Sequence, residues 1–159
     1  MSSNTSSKQL LVVAHAPSPN TRKLVDAVLR GARHEDLHGI DTRWVAPLDA
    51  GPDDIRSCDG IILGTTENLG YMSGALKDFF DRSYYPVLET KQGLPCAVYI
   101  RAGHDGTGTR RALESILTGL RWKLTQDILT CRGDWQPDFI DQCEALGLHM
   151  AAGLDAGIF

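Results

Sequence analysis

Three short stretches of this chain gather hydroxyl, amide, carboxylate, imidazole and glycine residues, and each stands directly after an apolar run. The fullest is Thr65-Thr66-Glu67-Asn68-Leu69-Gly70-Tyr71, set between Gly60-Ile61-Ile62-Leu63 and a helix-like segment that opens at Met72-Ser73-Gly74. In an open parallel sheet such a loop lies beyond the carboxyl end of a strand, where ligands bind. The second stretch, His15-Ala16-Pro17-Ser18-Pro19-Asn20-Thr21, offers an anion the donors of Ser18, Asn20 and Thr21. The helix after it adds free N–H groups at the positive end of its dipole. Ser18 and Asn20 are equally favoured as N-caps, so taken alone this turn reads as an anion cradle or as a plain helix cap. The third stretch is Arg101-Ala102-Gly103-His104-Asp105-Gly106-Thr107-Gly108-Thr109. A lone cap leaves two further glycine-rich turns unexplained, which tips the three together toward one ligand.

The elements that must position these turns alternate. Gln9–Ala14 is a short β-branched run that suits a strand buried on both faces. Leu24, Val25, Val28, Leu29 and Ala32 then follow at helical spacing. Ile40–Val45 alternates apolar and polar, as an edge strand does, and Pro52–Ile55 can form one helical turn with proline at its first position. A strand over 60–64 leads through the loop 65–71 to a helix whose Met72, Leu76, Phe79 and Phe80 share one face. Lys77–Asp81 and Asp78–Arg82 pair on its other face, and the helix stops near Tyr84-Tyr85-Pro86. Leu94–Ile100 is a fourth strand, and Leu113, Ile116, Leu117 and Leu120 mark the next helix. Asp127–Cys131 is a fifth strand, and a last helix follows Pro137, burying Phe139, Ile140, Cys143, Leu146 and Met150. Five alternations without a linker, repeat or low-complexity tract give a three-layer α/β domain with right-handed crossovers over 8–159. Residues 1–7 read as a disordered tail.

The totals agree with one globular domain. A chain of 159 residues buries about two-thirds of its unfolded surface, and 42% hydrophobic with 23% charged residues is an ordinary globular composition. A net charge of −4, with no basic stripe interleaved with aromatics, argues against nucleic acid. Arg110-Arg111 and Arg121-Trp122-Lys123 read as a solvated helix face. The cysteines at 58, 96, 131 and 143 lack the spacing of a zinc site or a redox dithiol, so no metal is expected. His34, His38 and His149 read as surface or helix residues without function. No signal-peptide core or membrane-spanning run is present, and a cytoplasmic location is expected.

Familiar nucleotide motifs are missing. There is no G-x-x-x-x-G-K-[ST] and no G-x-G-x-x-G after the first strand, which disfavours a P-loop and a Rossmann dinucleotide site. Ala14 and His15 stand where a phosphorelay receiver needs acidic residues. What remains is a mononucleotide, with one phosphate in the first turn and a planar ring between the other two.

Thr65 to Arg82, with its Met72-Ser73-Gly74 before a helix, resembles the second FMN-binding segment of the flavodoxin-like flavoproteins. More narrowly, it is similar to the NAD(P)H-dependent FMN reductases and WrbA-type quinone reductases. His15–Thr21 resembles that family's hydroxyl-rich phosphate loop, with Pro17 and Pro19 where glycine is common, and Arg101–Gly108 its third, glycine-rich loop. The resemblance implies a flavodoxin-like three-layer α/β/α fold on a five-stranded parallel sheet of order 2-1-3-4-5. It implies that Ser18, Asn20 and Thr21 hold the phosphate of FMN. Thr65, Thr66, Glu67, Asn68, Leu69, Gly70, Tyr71 and Met72 then line one side of the isoalloxazine, while Arg101, Ala102, Gly103, His104 and Gly106 approach its pyrimidine edge. Tyr71 either stacks on the ring or lids the core. Glu67 either touches the ring edge or complements the helix after it. His104, helped by Arg101, is the candidate catalytic residue, because a cation or donor near the ring stabilises its reduced form. It reads otherwise as a solvent-facing loop histidine.

The function this implies is an FMN-binding oxidoreductase that passes electrons from NAD(P)H to a quinone or similar small acceptor, and that forms a homo-oligomer. The alternative is a flavodoxin-type one-electron carrier docking on redox proteins. Such carriers are generally strongly acidic, and −4 is mild. A flavin-binding regulatory module without turnover stays open as a third reading.

Overall fold

A computed structural model describes residues 7–159, so the tail expected over 1–7 lies, apart from Ser7, outside the described residues. Strand β1 (Lys8–Ala14) leads to helix α1 (Pro19–Ala32), β2 (Ile40–Val45), a single 3₁₀ turn (Pro47–Asp49) and α2 (Pro52–Arg56). Then come β3 (Gly60–Asn68), β4 (Tyr71–Met72), α3 (Gly74–Val87), β5 (Pro95–Ala102) and α4 (Thr107–Leu120). The chain closes with β6 (Lys123–Leu124), β7 (Leu129–Arg132) and α5 (Asp138–Asp155).

The parallel strands run in the order β2-β1-β3-β5-β6, with β7 also on β5 and β4 antiparallel to β3. The doubly wound progression is the expected one, but the sheet has seven strands rather than five. Two local causes account for the difference. β3 does not end at residue 64: it continues to Asn68 and folds back on itself as β4, pairing Glu67 with Met72 and Asn68 with Tyr71. The fifth strand is broken in two. Thr125 N donates to Cys96 O at 3.0 Å, the chain then leaves the ladder, and it rejoins β5 where Leu129 meets Tyr99.

The strands bury both faces. Leu11, Val13, Ile61, Leu63, Cys96, Val98 and Ile100 pack under α2, α3 and α4, with Phe79 and Leu113 wholly buried there. Leu10, Val12, Ile62, Ala97 and Tyr99 pack under α1 and α5. Those two helices meet backbone to backbone, since a Cβ on Gly147 would lie 2.1 Å from Val28 O. Lys77–Asp81 and Arg82–Asp78 form on the outer face of α3 at 2.5 and 2.7 Å. These are exposed pairs, each contributing a few tenths of a kcal/mol.

Three boundaries differ from the sequence reading. α1 starts at Pro19 because proline needs no N–H partner at the first helical position. α3 runs through Pro86 to Val87, because a proline this near the helix end disturbs little beyond the last turn. The basic segment at 121–123 is not a helix face. Arg121 closes α4 in the left-handed conformation (φ 61°), Trp122 is buried, and Lys123 begins β6. Among the described residues, no helix is long and apolar enough to cross a membrane, and no three His, Cys, Asp or Glu side chains could share a metal ion.

Candidate functional site

The register brings the ends of three strands side by side. Ala14 pairs with Gly64, and Thr66 with Arg101, so the turns that follow β1, β3 and β5 emerge from one sheet edge. His15 N donates to Gly64 O at 3.0 Å, which ties the first turn to the second.

In the second turn Thr65 acts as a brace. Its hydroxyl is buried, donates to Thr66 O at 2.8 Å and accepts from Ser73 N at 3.0 Å, closing the base of the β3–β4 hairpin. Thr66 Oγ1 donates to Asn68 Oδ1 at 2.9 Å and fixes that amide. Met72 is buried in the core and anchors the return strand. Leu69 and Gly70 occupy the tip with φ of 53° and 77°, the positive values of a primed two-residue turn. For leucine that conformation costs about 1–2 kcal/mol. Its side chain is nonetheless fully exposed, at 105% of the reference area, and Tyr71 beside it is 39% exposed. Strained backbone conformations of this kind cluster at active sites and ligand clamps.

The hairpin tip meets the third turn directly. A Cβ on Gly108 would stand 2.1 Å from Gly70 O, so glycine at 108 lets the first turn of α4 seat the tip. Gly106 starts α4 at φ 72°. Asp105 Oδ1 accepts from Thr107 N at 3.0 Å, and that bond holds its carboxyl below the usual carboxylate range. Ala102 and Gly106 are buried, whereas Gly103 and His104 are exposed. Among the described residues, the N–H groups of Gly103 and His104 make no hydrogen bond.

The first turn is a closed capping box. Ser18 N donates to Thr21 Oγ1 at 2.9 Å, Thr21 N donates to Ser18 Oγ at 3.2 Å, and the two hydroxyls lie 2.8 Å apart. Thr21 Oγ1 also donates to Ser18 O at 3.1 Å. Asn20 is exposed, and its side chain makes no hydrogen bond among the described residues. Burial lowers the pKa of His15 from its ordinary 6.5, disfavouring the charged imidazolium.

Cations stand nearby. Arg22 lies over the Trp44 ring at 4.7 Å and pairs with Asp26, and Lys23 sits 6.0 Å from the Trp135 ring. Arg101 donates to Ala102 O at 2.8 Å and Cys131 O at 3.0 Å and lies 5.1 Å from the Phe139 ring. Its side chain is therefore committed to β7 and α5. The structure thus gathers Ser18, Asn20, Thr21, Thr66 to Tyr71 and Gly103 to Gly106 on one edge, with Thr65, Met72 and Ala102 buried as its floor. Sequence reasoning missed the roles of Gly108 and Asp105. A Gly-Thr-Gly directly after an aspartate was the available signal, an Asx turn opening a helix.

A family model described as NADPH-dependent FMN reductase matches residues 47–135, more than half of the chain. A flavodoxin of Aquifex aeolicus is 30% identical, over 70% of this chain and 60% of its own length. An NAD(P)H dehydrogenase (quinone) of Acidithiobacillus ferrooxidans is 29% identical, over 47% of this chain and 46% of its own. The chain therefore spans less than two-thirds of each of these relatives. A solved flavodoxin from the domain Archaea superposes with a TM-score of 0.77 over 92% of this chain and 98% of that one, at 18% identity, a likeness of fold alone.

Proposed function

This chain belongs to the NADPH-dependent FMN reductase family, and we propose that it works as an FMN-dependent oxidoreductase carrying electrons from NAD(P)H to a quinone or similar small acceptor. FMN is its cofactor, and the residues on the sheet edge fit that group. The unbonded N–H groups of Gly103 and His104 suit the carbonyl-bearing edge of an isoalloxazine, and the apolar tip at Leu69 and Tyr71 suits its flat face. The observation that carries the reading is the backbone contact between Gly70 and Gly108, which joins those two features into one rim.

When bound, the flavin supplies hydride acceptance and donation. Thr66 and Asn68, locked to each other, orient the second turn, while Leu69, Gly70 and Tyr71 cover one side of the ring and exclude water. Gly103 and His104 donate to the pyrimidine edge through their N–H groups. The His104 imidazole, exposed on the same turn, supplies a further donor where negative charge gathers on reduction. The Ser18 hydroxyl and the Asn20 amide serve the phosphate. No protein nucleophile is required.

A second reading, a one-electron carrier, is favoured by the flavodoxin relative, which aligns with more of this chain than the quinone reductase does.

Anaerobic mixing of the FMN-loaded protein with NADPH or NADH separates the readings. Bleaching of the flavin band within seconds supports the reductase. Persistence of the band, together with a stable one-electron-reduced form on dithionite titration, selects the carrier. A protein that gains no colour from FMN rejects both.

A further inference from the structure

We propose that Arg101 is a positioning residue that sets the redox balance of the bound flavin without touching it, by holding and polarising the Ala102–Gly103 peptide whose N–H faces the ring. The inference rests on the FMN reading above, in which Gly103 donates to the pyrimidine edge.

The peptide is held from its carbonyl side. Ala102 O accepts from Gly133 N at 2.9 Å and from Arg101 Nη1 at 2.8 Å. Both donors stand on the side of β7, where Ala102 pairs with Arg132 and Arg101 Nη1 also donates to Cys131 O at 3.0 Å. In a planar trans peptide the N–H points opposite to the C=O. The Gly103 N–H therefore points away from β7, toward the side on which Thr66 of β3 pairs with Arg101 and the hairpin begins. That is the space between the second and third turns. Among the described residues this N–H makes no hydrogen bond. One end of the peptide is thus doubly bonded while the other is left as a donor aimed into the rim.

The guanidinium is itself held in place. It lies 5.1 Å from the Phe139 ring and 5.8 Å from the Trp135 ring, and those rings meet edge to face at 5.7 Å. Arginine suits this place, because its planar head can lie against aromatic rings, donate to carbonyls and stay charged throughout. Among the described residues no carboxylate pairs with it. A positive charge without an ion-pair partner therefore stands one peptide away from the flavin's pyrimidine edge.

Two effects follow, with the same sign. Hydrogen bonds in a chain polarise one another, so a cation on the Ala102 carbonyl makes the Gly103 N–H a stronger donor. Negative charge gathers at the pyrimidine edge on reduction, so donor and cation both stabilise reduced FMN more than oxidised FMN. From Nη1 through the peptide to an acceptor at hydrogen-bond distance is about 8 Å. Across that distance, at an effective dielectric of ~20, a unit charge shifts a charge-forming equilibrium by more than about tenfold. Arg101 is only half-buried, and solvent screening brings the expected factor to about tenfold.

The two-electron midpoint potential of bound FMN, measured by anaerobic reduction against a reference dye, tests this. Arg101→Gln keeps a donor and loses the charge. It should favour reduced over oxidised flavin about tenfold less than wild type, a fall of about 30 mV. Arg101→Lys keeps the charge and should stay within about twofold of wild type, or about 10 mV. A purely structural role weakens both redox states alike, so an unchanged potential in Arg101→Gln overturns the proposal. An equal fall in both variants overturns it as well. A measurement on the unaltered protein covers the case in which Arg101→Gln takes up no FMN. The Gly103 amide resonance of ¹⁵N-labelled protein should move when the bound FMN is reduced, and a resonance that does not respond overturns the proposal. Wild-type protein that binds no FMN would instead sink the flavin reading on which it depends.

Discussion

Replacing Gly108 by alanine should loosen the flavin without unfolding the protein. The added Cβ would sit 2.1 Å from Gly70 O, against the ~3.3 Å at which carbon and carbonyl oxygen normally meet. α4 is a regular helix packed on the core through Leu113, Leu117 and Leu120, so the hairpin tip is what must move, by about 1 Å. A displacement of that size at a positioning element can reduce turnover by about a hundredfold. We expect FMN affinity to fall by about tenfold, because the hairpin tip carrying Leu69 and Tyr71 would shift relative to the third turn. Stability should change little. Alanine is favoured over glycine in a helix by up to about 1 kcal/mol, which offsets the displaced tip, so the melting temperature should stay within about 4 °C. FMN fluorescence titration and thermal melting followed by circular dichroism read the two quantities separately. A G108A protein that binds FMN as tightly as wild type would refute the reasoning, because it would mean the Gly70–Gly108 seat does not set the ring site.

Three further perturbations address other parts of the account. Thr21→Val removes the hydroxyl that closes the capping box and should destabilise the fold by about 1 kcal/mol in urea titration, whereas an unchanged midpoint would mean the cap contributes nothing. Leu69→Asn places a residue tolerant of positive φ at the tip. It should raise stability by up to about 1 kcal/mol while weakening flavin binding, and unchanged binding would make Leu69 a strained bystander. His15 has a folded pKa below its ordinary 6.5, so the unfolded chain binds the proton more readily. Its contribution to stability is therefore intact above 6.5 and declines as pH falls through that value toward the folded pKa. Comparing urea midpoints at pH 7.5 and pH 5.5, roughly a unit either side of the ordinary histidine value, His15→Asn should show a shallower loss on acidification than wild type, and an equal loss would contradict the assignment.

Much of the fold was legible because its signals are local and repeated. Val12, Val13, Ile61, Ile62 and Val98 sit in uninterrupted apolar runs that only a strand covered on both faces tolerates. Leu113, Leu117 and Leu120 mark a helix by spacing alone. The hairpin was not legible, because Glu67-Asn68-Leu69-Gly70 carries a primed-turn geometry on a leucine, a residue whose preference argues against it. Tertiary seating on Gly108 overrides that preference. The split of the fifth strand was equally hidden, since it depends on where Thr125 loses its partner on β5 rather than on composition. In the site, hydroxyl and glycine types pointed to turns that the strand register brings to one sheet edge. The sequence could not say that Ser18 and Thr21 would satisfy each other, or that Arg101 would turn toward Phe139, because both outcomes rest on contacts between elements.

The central claim is that one rim, built from the turns after β1, β3 and β5, holds the flavin. Backbone amide shifts of ¹⁵N-labelled protein, followed as FMN is added, report this residue by residue. Shifts concentrated at 66–71 and 103–108, with smaller ones at 16–20, are the expected result. Shifts gathered at the opposite sheet edge around 90–95, or spread without a centre, would contradict it.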